Sequence, residues 1–423
     1  MPDHAAASTA GCEQRGQLAD AAAGAPRDKA LGPWPFRFLL AGSVFNQVGF
    51  WIQQVGVGWL ILELTGSSLQ IGIASALRGL PMLVASPLAG VLVDRLDRRR
   101  IVLVSQTVMS VATLLLALLI QTGWVQPWHV FLLTFVMGTA ISVNFPARQA
   151  LIPFTLPPGQ VGRGVASVAA GQNGARMVAP GLGGALISLS GLAACFVAQS
   201  LAFLTALGCV WGLPTPPPAR TSGASVWGTM RSGFGHIAGS PRLAGLLLLA
   251  VVPTVLALPY QQLLPVFAQA VYDVGPGGLG LLLTANSVGA FIGALSATHM
   301  MGLPRRGLIL LAAGVVLGLS LVLLALAPSF VVGLGTLLLC GGAFAVYNAT
   351  NNALLHEATT DAYRGRVMSI YLMTWSLYPI ATLPAGALAD RVGAPLTVAL
   401  GGGACALLVL LVWAALPALR DLH

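Results

Sequence analysis

The chain has 423 residues, of which 56% are hydrophobic and only 8% charged, with a mean hydropathy of +0.84. A soluble chain carries roughly a quarter charged residues, so most of this surface must face hydrocarbon rather than water. The net charge of +9 does not mark a nucleic-acid binder, because the arginines are spread between apolar runs instead of forming one patch.

Residues 1–30 are Ala-rich, carry Asp3, Glu13, Asp20 and Asp28, and lack an apolar core. They read as a disordered cytoplasmic tail, not a signal peptide. Twelve apolar runs follow, at 36–62, 68–93, 101–121, 127–146, 161–188, 191–213, 243–270, 276–301, 307–326, 329–355, 364–389 and 395–416. Each has the ~20 residues that a helix needs to cross about 30 Å of hydrocarbon. The longest connection, 214–242, is rich in Pro, Ser and Gly and reads as a cytoplasmic linker. It separates six runs in 31–213 from six in 243–418, before a short tail at 419–423. With the N-terminus inside, 18 of the 21 basic residues fall in cytoplasmic segments, Arg148 among them. Short cytoplasmic loops hold the Lys/Arg excess, so both termini are expected in the cytoplasm.

The expected fold is therefore an all-α membrane protein of twelve transmembrane helices in two pseudo-symmetric halves. Ala150-Leu151 and Ala353-Leu354, Arg163 and Arg366, and Gly183 and Gly386 all stand 203 positions apart, and Pro180 and Pro384 stand 204 apart. Such a parallel repeat is typical of transporters that rock two halves about a central site.

Between the second and third runs lies "GVLVDRLDRRR", 90–100, with six charges in a chain that has few. It matches the loop motif G-x-x-x-D-R-x-G-R-R at Gly90, Asp94, Arg95, Arg98 and Arg99, with Asp97 in place of the second glycine. The fifth run contains "ARMVAPGLGG", 175–184, which keeps Pro180, Gly183 and Gly184 of the efflux pattern G-x-x-x-G-P-x-x-G-G. On these motifs, with "WLILELTGSS", "NFPARQALIP" and "YRGRVMSIY", the chain resembles the major facilitator superfamily over 31–418. The similar branch is that of the transmembrane secretion effectors, with siderophore exporters and macrolide-efflux proteins.

The resemblance implies that Gly90, Asp94, Arg95 and Arg98 form a cytoplasmic gate. Gly90 permits close helix packing, and Asp94 faces the positive N-terminal end of the eleventh helix. Arg99 and Arg100 read as topology determinants, and Asp97 is expected to keep the turn in a left-handed conformation. The fifth-run motif fits either export or close packing alone.

Polar groups in buried spans are costly and usually face a cavity. The candidates are Asn46, Gln47, Trp51, Gln53 and Gln54 on the first run, Arg78 and Arg176 on the second and fifth, and Tyr260, Gln261 and Gln262 on the seventh. Asn286, Tyr347, Asn348, Asn351, Trp375 and Tyr378 follow on the eighth, tenth and eleventh. Aromatics with amides suit a bulky amphipathic small molecule; interhelical hydrogen bonding is the alternative. No acid lies at mid-span to pair with Arg78 or Arg176. Glu63 and Glu357, at helix ends, are the proton-coupling candidates.

No cofactor, metal or nucleic acid is expected. The single lysine, Lys29, lies in the tail, so no Walker phosphate loop exists, and the six histidines form no ligand cluster. The five cysteines have no metal spacing. The expected partners are a small-molecule substrate, H⁺ and the lipid bilayer, for a monomer in the bacterial cell membrane. The expected role is proton-antiport export of a drug, secondary metabolite or siderophore, not enzymatic catalysis. Uptake on the same fold is the alternative, and a receptor or scaffold a more distant one.

Overall fold

The structure, a computed structural model, describes residues 33–157, 159–213, 232, 234–303 and 305–415, without the side chains at 33, 84–95 and 362. The tails 1–30 and 419–423 and most of the linker 214–242 lie outside the described residues.

The described secondary structure is helical throughout. The first half contains α1 (Pro33–Thr65), α2 (Ser68–Arg95), α3 (Arg98–Gln121), α4 (Pro127–Leu151) and α5 (Val161–Trp211). Within α5, Gly191 has φ 84° and ψ 171°, so the element is two helical arms joined at that glycine. The second half contains α6 (Pro241–Val252), α7 (Tyr260–Val266), α8 (Gly275–Met300), α9 (Arg306–Ala325) and α10 (Phe330–Ala358). After these come α11 (Asp361–Thr374), α12 (Tyr378–Val392) and α13 (Ala394–Ala415). Nine helical segments among the described residues are long and apolar enough to cross a membrane.

Two expected runs are not continuous α-helix. The run 243–270 is α6, a π-helical turn at Pro253–Ala257, α7, and a second such turn at Phe267–Val271. Pro253, Pro259 and Pro265 each lack the N–H that an α ladder requires, and the widened turns absorb the loss. The run 364–389 is α11, a 3₁₀ turn at Trp375–Leu377, and α12, with Pro379 in its first turn.

In the first half α1 and α3 pack on α5, and α2 and α3 on α4; in the second, α8 packs on α10, and α9 on α10 and α13. Two long seams join these groups: α2 with α12, and α5 with α8. Both are backbone-close. A Cβ on Gly184 would stand 2.5 Å from the Pro276 carbonyl oxygen, and one on Gly280 2.7 Å from that of Pro180. In the other seam, a Cβ on Gly386 would stand 2.6 Å from the Ser68 carbonyl oxygen, and one on Gly72 2.6 Å from that of Thr382. Small residues allow this approach where lipid supplies no hydrophobic drive between helices.

The seams relate the halves by an offset slightly different from the one expected. Gly184 corresponds to Gly386, and the left-handed Gly191 to the left-handed Gly393, both 202 positions apart. Arg163 and Arg366 are 203 apart, so the second half is one residue shorter over this stretch. The 3₁₀ turn accounts for the difference. Rising about 2.0 Å per residue, its three residues span the length of about four α-helical residues at 1.5 Å each.

Candidate functional site

Two arginines organise the interior. Arg78, on α2, lays its guanidinium 5.2 Å from the centre of the Phe50 ring and donates from Nη2 to Gln54 Oε1 at 2.6 Å. Arg176, on the first arm of α5, lies 5.0 Å from the centre of the Trp51 ring. Guanidinium over an aromatic face is a favourable contact, about 0.5–2 kcal/mol depending on desolvation. Among the described residues the ion pairs are Arg100–Asp97, Arg306–Glu357 and Arg364–Asp361; neither central arginine belongs to one.

Groups from the second half close the site. The Tyr378 hydroxyl is near enough to interact electrostatically with both guanidinium groups, and that of Tyr260 with Arg176. Gln262 Nε2 donates to the Tyr378 hydroxyl at 2.9 Å, and the Tyr260 hydroxyl donates to Asn286 Oδ1 at 2.7 Å. A small cavity lined by Gln53, Gln54, Ser75, Arg78, Thr134 and Gln262 opens here. Gln53 Nε2 contacts Met137 Sδ at 3.2 Å. Two buried polar atoms of its lining, Gln53 Oε1 and Ser75 Oγ, have no hydrogen-bond partner, nor do Asn46 Oδ1, Trp51 Nε1 and Arg176 Nε on α1 and α5.

The expected cavity thus divides in two. Trp51, Gln53, Gln54, Arg78, Arg176, Tyr260, Asn286 and Tyr378 gather around the arginines. Tyr347, Asn348, Asn351 and Trp375 instead line a second pocket with Thr254, Phe344 and Tyr371 inside the second half. There the Tyr371 hydroxyl donates to Asn348 Oδ1 at 2.6 Å, and Trp375 packs edge-on to Phe344. Tyr347 is fully buried and donates to the Leu249 carbonyl at 2.6 Å, which ties α10 to α6. Gln47 and Gln261 are half-buried.

The motif residues fare unevenly. Helix α2 runs through Gly90 and Asp94 to Arg95, whose side chains lie outside the described residues. Arg98 is buried with its guanidinium 5.1 Å from the Phe154 ring centre. Asp97 is not left-handed: at φ −61° and ψ 111° it is the N-cap of α3, its carboxylate accepting from the Arg99 N–H at 2.9 Å. An aspartate that can cap the next helix has no need of the glycine conformation. Pro180 and Gly184 are buried at the α5–α8 seam, and Gly183 is buried against Ile52 and Val55 of α1. Glu63 is exposed near the end of α1, and Glu357 pairs with Arg306.

Two residues escaped the sequence reading. Arg148, assigned there to a loop, is buried in the last turn of α4 and donates to Gln106 Oε1 at 3.3 Å. Asp390, at the end of α12, binds the start of α2. The signal for Arg148 was its place two residues beyond an apolar stretch; Asp390 had none, because its partners lie 321 or more positions away.

This arrangement defines the class of protein: a multi-pass membrane transporter of the major facilitator kind, not an enzyme. The nucleoside transporter NupG superimposes with a TM-score of 0.73, at 13% identity, covering 91% of this chain and 98% of that one. A bacterial homologue of the human lysosomal transporter Spinster, in an inward-facing and unoccupied conformation, gives 0.65 at 17% identity, covering 92% and 98%. The chain belongs to the transmembrane secretion effector family, whose profile matches residues 30–422. Among its relatives, Macrolide efflux protein A of Streptococcus pyogenes is 24% identical over 85% of this chain and 91% of that protein. The multidrug efflux pump Tap of Mycolicibacterium fortuitum is 26% identical over 85% and 90%. The enterobactin exporter EntS of Escherichia coli O1:K1 is 25% identical over 79% and 80%. The protein is accordingly placed in the bacterial cell membrane.

Proposed function

We propose that the protein is a secondary active exporter of a small amphipathic organic molecule, working by alternating access and driven by proton antiport. The observation that carries this reading is a polar interior cavity lined from both halves, by Gln53, Gln54, Arg78 and Gln262, in a bundle joined by two glycine seams. Relatives named for macrolide, enterobactin and multidrug efflux support the direction of transport.

In this reading the helices make twelve spans, the two arms of α5 counting separately and the broken pairs α6–α7 and α11–α12 counting once each. The halves are 31–213 and 243–418, both termini are cytoplasmic, and a monomer suffices. The end of the bundle where Asp390 meets α2 is then the outer end. Gly90, Asp94, Arg95 and Arg98 are the cytoplasmic gate. Asp94→Asn is expected to slow turnover with ligand affinity nearly unchanged, because it removes charge without changing size.

The test is flux into inside-out proteoliposomes containing only the purified protein, with an imposed pH gradient and no nucleotide. A panel including a macrolide and a catecholate siderophore should show at least one compound accumulating in a protonophore-sensitive way. Flux no greater than in empty liposomes for every compound, or accumulation only in the opposite orientation, would overturn the proposal.

A further inference from the structure

Arginine keeps its charge at any depth in the membrane, and here two arginines of the first half lie on the adjoining rings of Phe50 and Trp51, Arg78 also lining the small interior cavity. The partners they have are neutral: two ring faces and the Gln54 amide oxygen. Among the described residues no carboxylate pairs with either. Donors remain unused beside them, namely Arg176 Nε and Trp51 Nε1. Buried donors without acceptors are rare in finished structures, and a pair of uncompensated charges in a poorly solvated interior is rarer still.

We infer that Arg78 and Arg176, seated on the adjoining Phe50 and Trp51 rings beside the cavity, form an anion-binding site, and that the transported molecule is an aromatic or apolar body bearing a carboxylate, sulfonate or phosphate-like group. The inference rests on the exporter reading only for the word transported; the site stands on its own geometry. An anionic group would satisfy both guanidinium groups through charge-assisted hydrogen bonds, the stronger kind. Trp51 Nε1 supplies a further donor. Gln262, from the second half, lines the cavity with Arg78 and donates to the Tyr378 hydroxyl, so an anion bound there would tie the halves together. Phe50 and Trp51, each with one face on a guanidinium, provide the aromatic wall for the body. A cationic amphipath meets two like charges and no counter-charge, in a medium that weakens repulsion less than water does.

The test uses three pyrene probes of the same body and different permanent charge: pyrene-1-sulfonate, trimethyl(pyren-1-ylmethyl)ammonium and neutral pyren-1-ylmethanol. Binding to the full-length protein in lipid nanodiscs is followed by pyrene fluorescence. The sulfonate should bind at least tenfold more tightly than the ammonium. Arg176→Gln should weaken the sulfonate tenfold or more while leaving the neutral probe within twofold, and Arg176→Lys should retain the preference for the anion. Retained binding of the neutral probe shows that each variant is folded. Equal binding of the two charged probes, tighter binding of the ammonium, or equal loss for all three probes in a folded Arg176→Gln variant would overturn the anion site. So would failure of the sulfonate to bind; flux of another compound in the liposome assay would then leave the exporter reading intact. Sulfonate binding without flux of any compound supports the site and counts against the exporter.

Discussion

Asp390 closes the last turn of α12 by accepting three hydrogen bonds from the beginning of α2. Ser67 Oγ and the Ser68 N–H lie at 2.6 Å and the Leu69 N–H at 3.2 Å. The first N–H groups of a helix have no partner inside it, and a carboxylate there also meets the positive end of the helix, worth about 0.3–1 kcal/mol. Desolvation raises the pKa of this carboxyl, but the bonds from Ser67, Leu69 and Ser68 outweigh it and hold the value below the ordinary one. A depressed carboxyl stabilises the contact above its ordinary pKa, and the contribution is lost only as the pH falls through the lower value. The contact should thus be indifferent to pH between 5.5 and 8. Asp390→Asn should raise the population in which α2 and α12 have parted by about two- to fivefold, the equivalent of that energy. Spin-label distances between Gln70 and Val392 measure it. A wild-type distribution that shifts between pH 5.5 and 8 would contradict the argument. Sequence could not reveal this cap, since the carboxylate lies 321 or more positions from the groups it binds.

Most elements were legible because apolar length and Gly/Pro punctuation act locally. The Gly191 break inside α5 was read correctly from sequence, as two runs. The π-helical turns were not, since three prolines within one apolar run specify where N–H groups are missing and not how the ladder widens around them. The seams were legible only as a motif. What makes Gly184 necessary is the backbone of α8, with the Pro276 carbonyl oxygen 2.5 Å and Gly280 Cα 2.9 Å from where a Cβ would stand. Gly184→Ala should therefore force α5 and α8 apart and cost about 1–3 kcal/mol, as overpacking does. Gly174→Ala on the same helix has open space around it and serves as the control, expected neutral or slightly stabilising. Thermal unfolding in the same detergent compares them; equal melting temperatures would remove the seam from the account.

At the scale of the molecule, the expected repeat rested on weak matches 203 and 204 positions apart, whereas Gly184 and Gly386, and Gly191 and Gly393, stand 202 apart. The central arginines were visible because a charge in an apolar run stands out. Arg148 was hidden because a charge just past such a run looks like a loop residue. Proton coupling has no central acid to rest on, which leaves Glu63 and Glu357. Glu357 is committed to Arg306, so Glu357→Gln should lower stability more than flux, while Glu63→Gln should reduce pH-driven flux severalfold with counterflow unchanged. If both variants keep full pH-driven flux, neither carries the proton.

The two seams match in backbone but not in fastening. Asp390 binds the first turn of α2, whereas Ser188, its counterpart 202 positions earlier, only touches the turn at Gly277, where a Cβ would stand 3.0 Å from its Oγ. Among the described residues, one edge of this end is pinned by a charge and the other shows contact alone. An end fastened this way should swing instead of lift, parting first along α5 and α8 and pivoting on α2 and α12. A molecule leaving through it would emerge on the α5–α8 side. Cysteine pairs across each seam should report this order, with the Ser188–Gly277 pair losing cross-linking before the Ser68–Asp390 side separates. Simultaneous loss at both seams would mean that the two edges move as one.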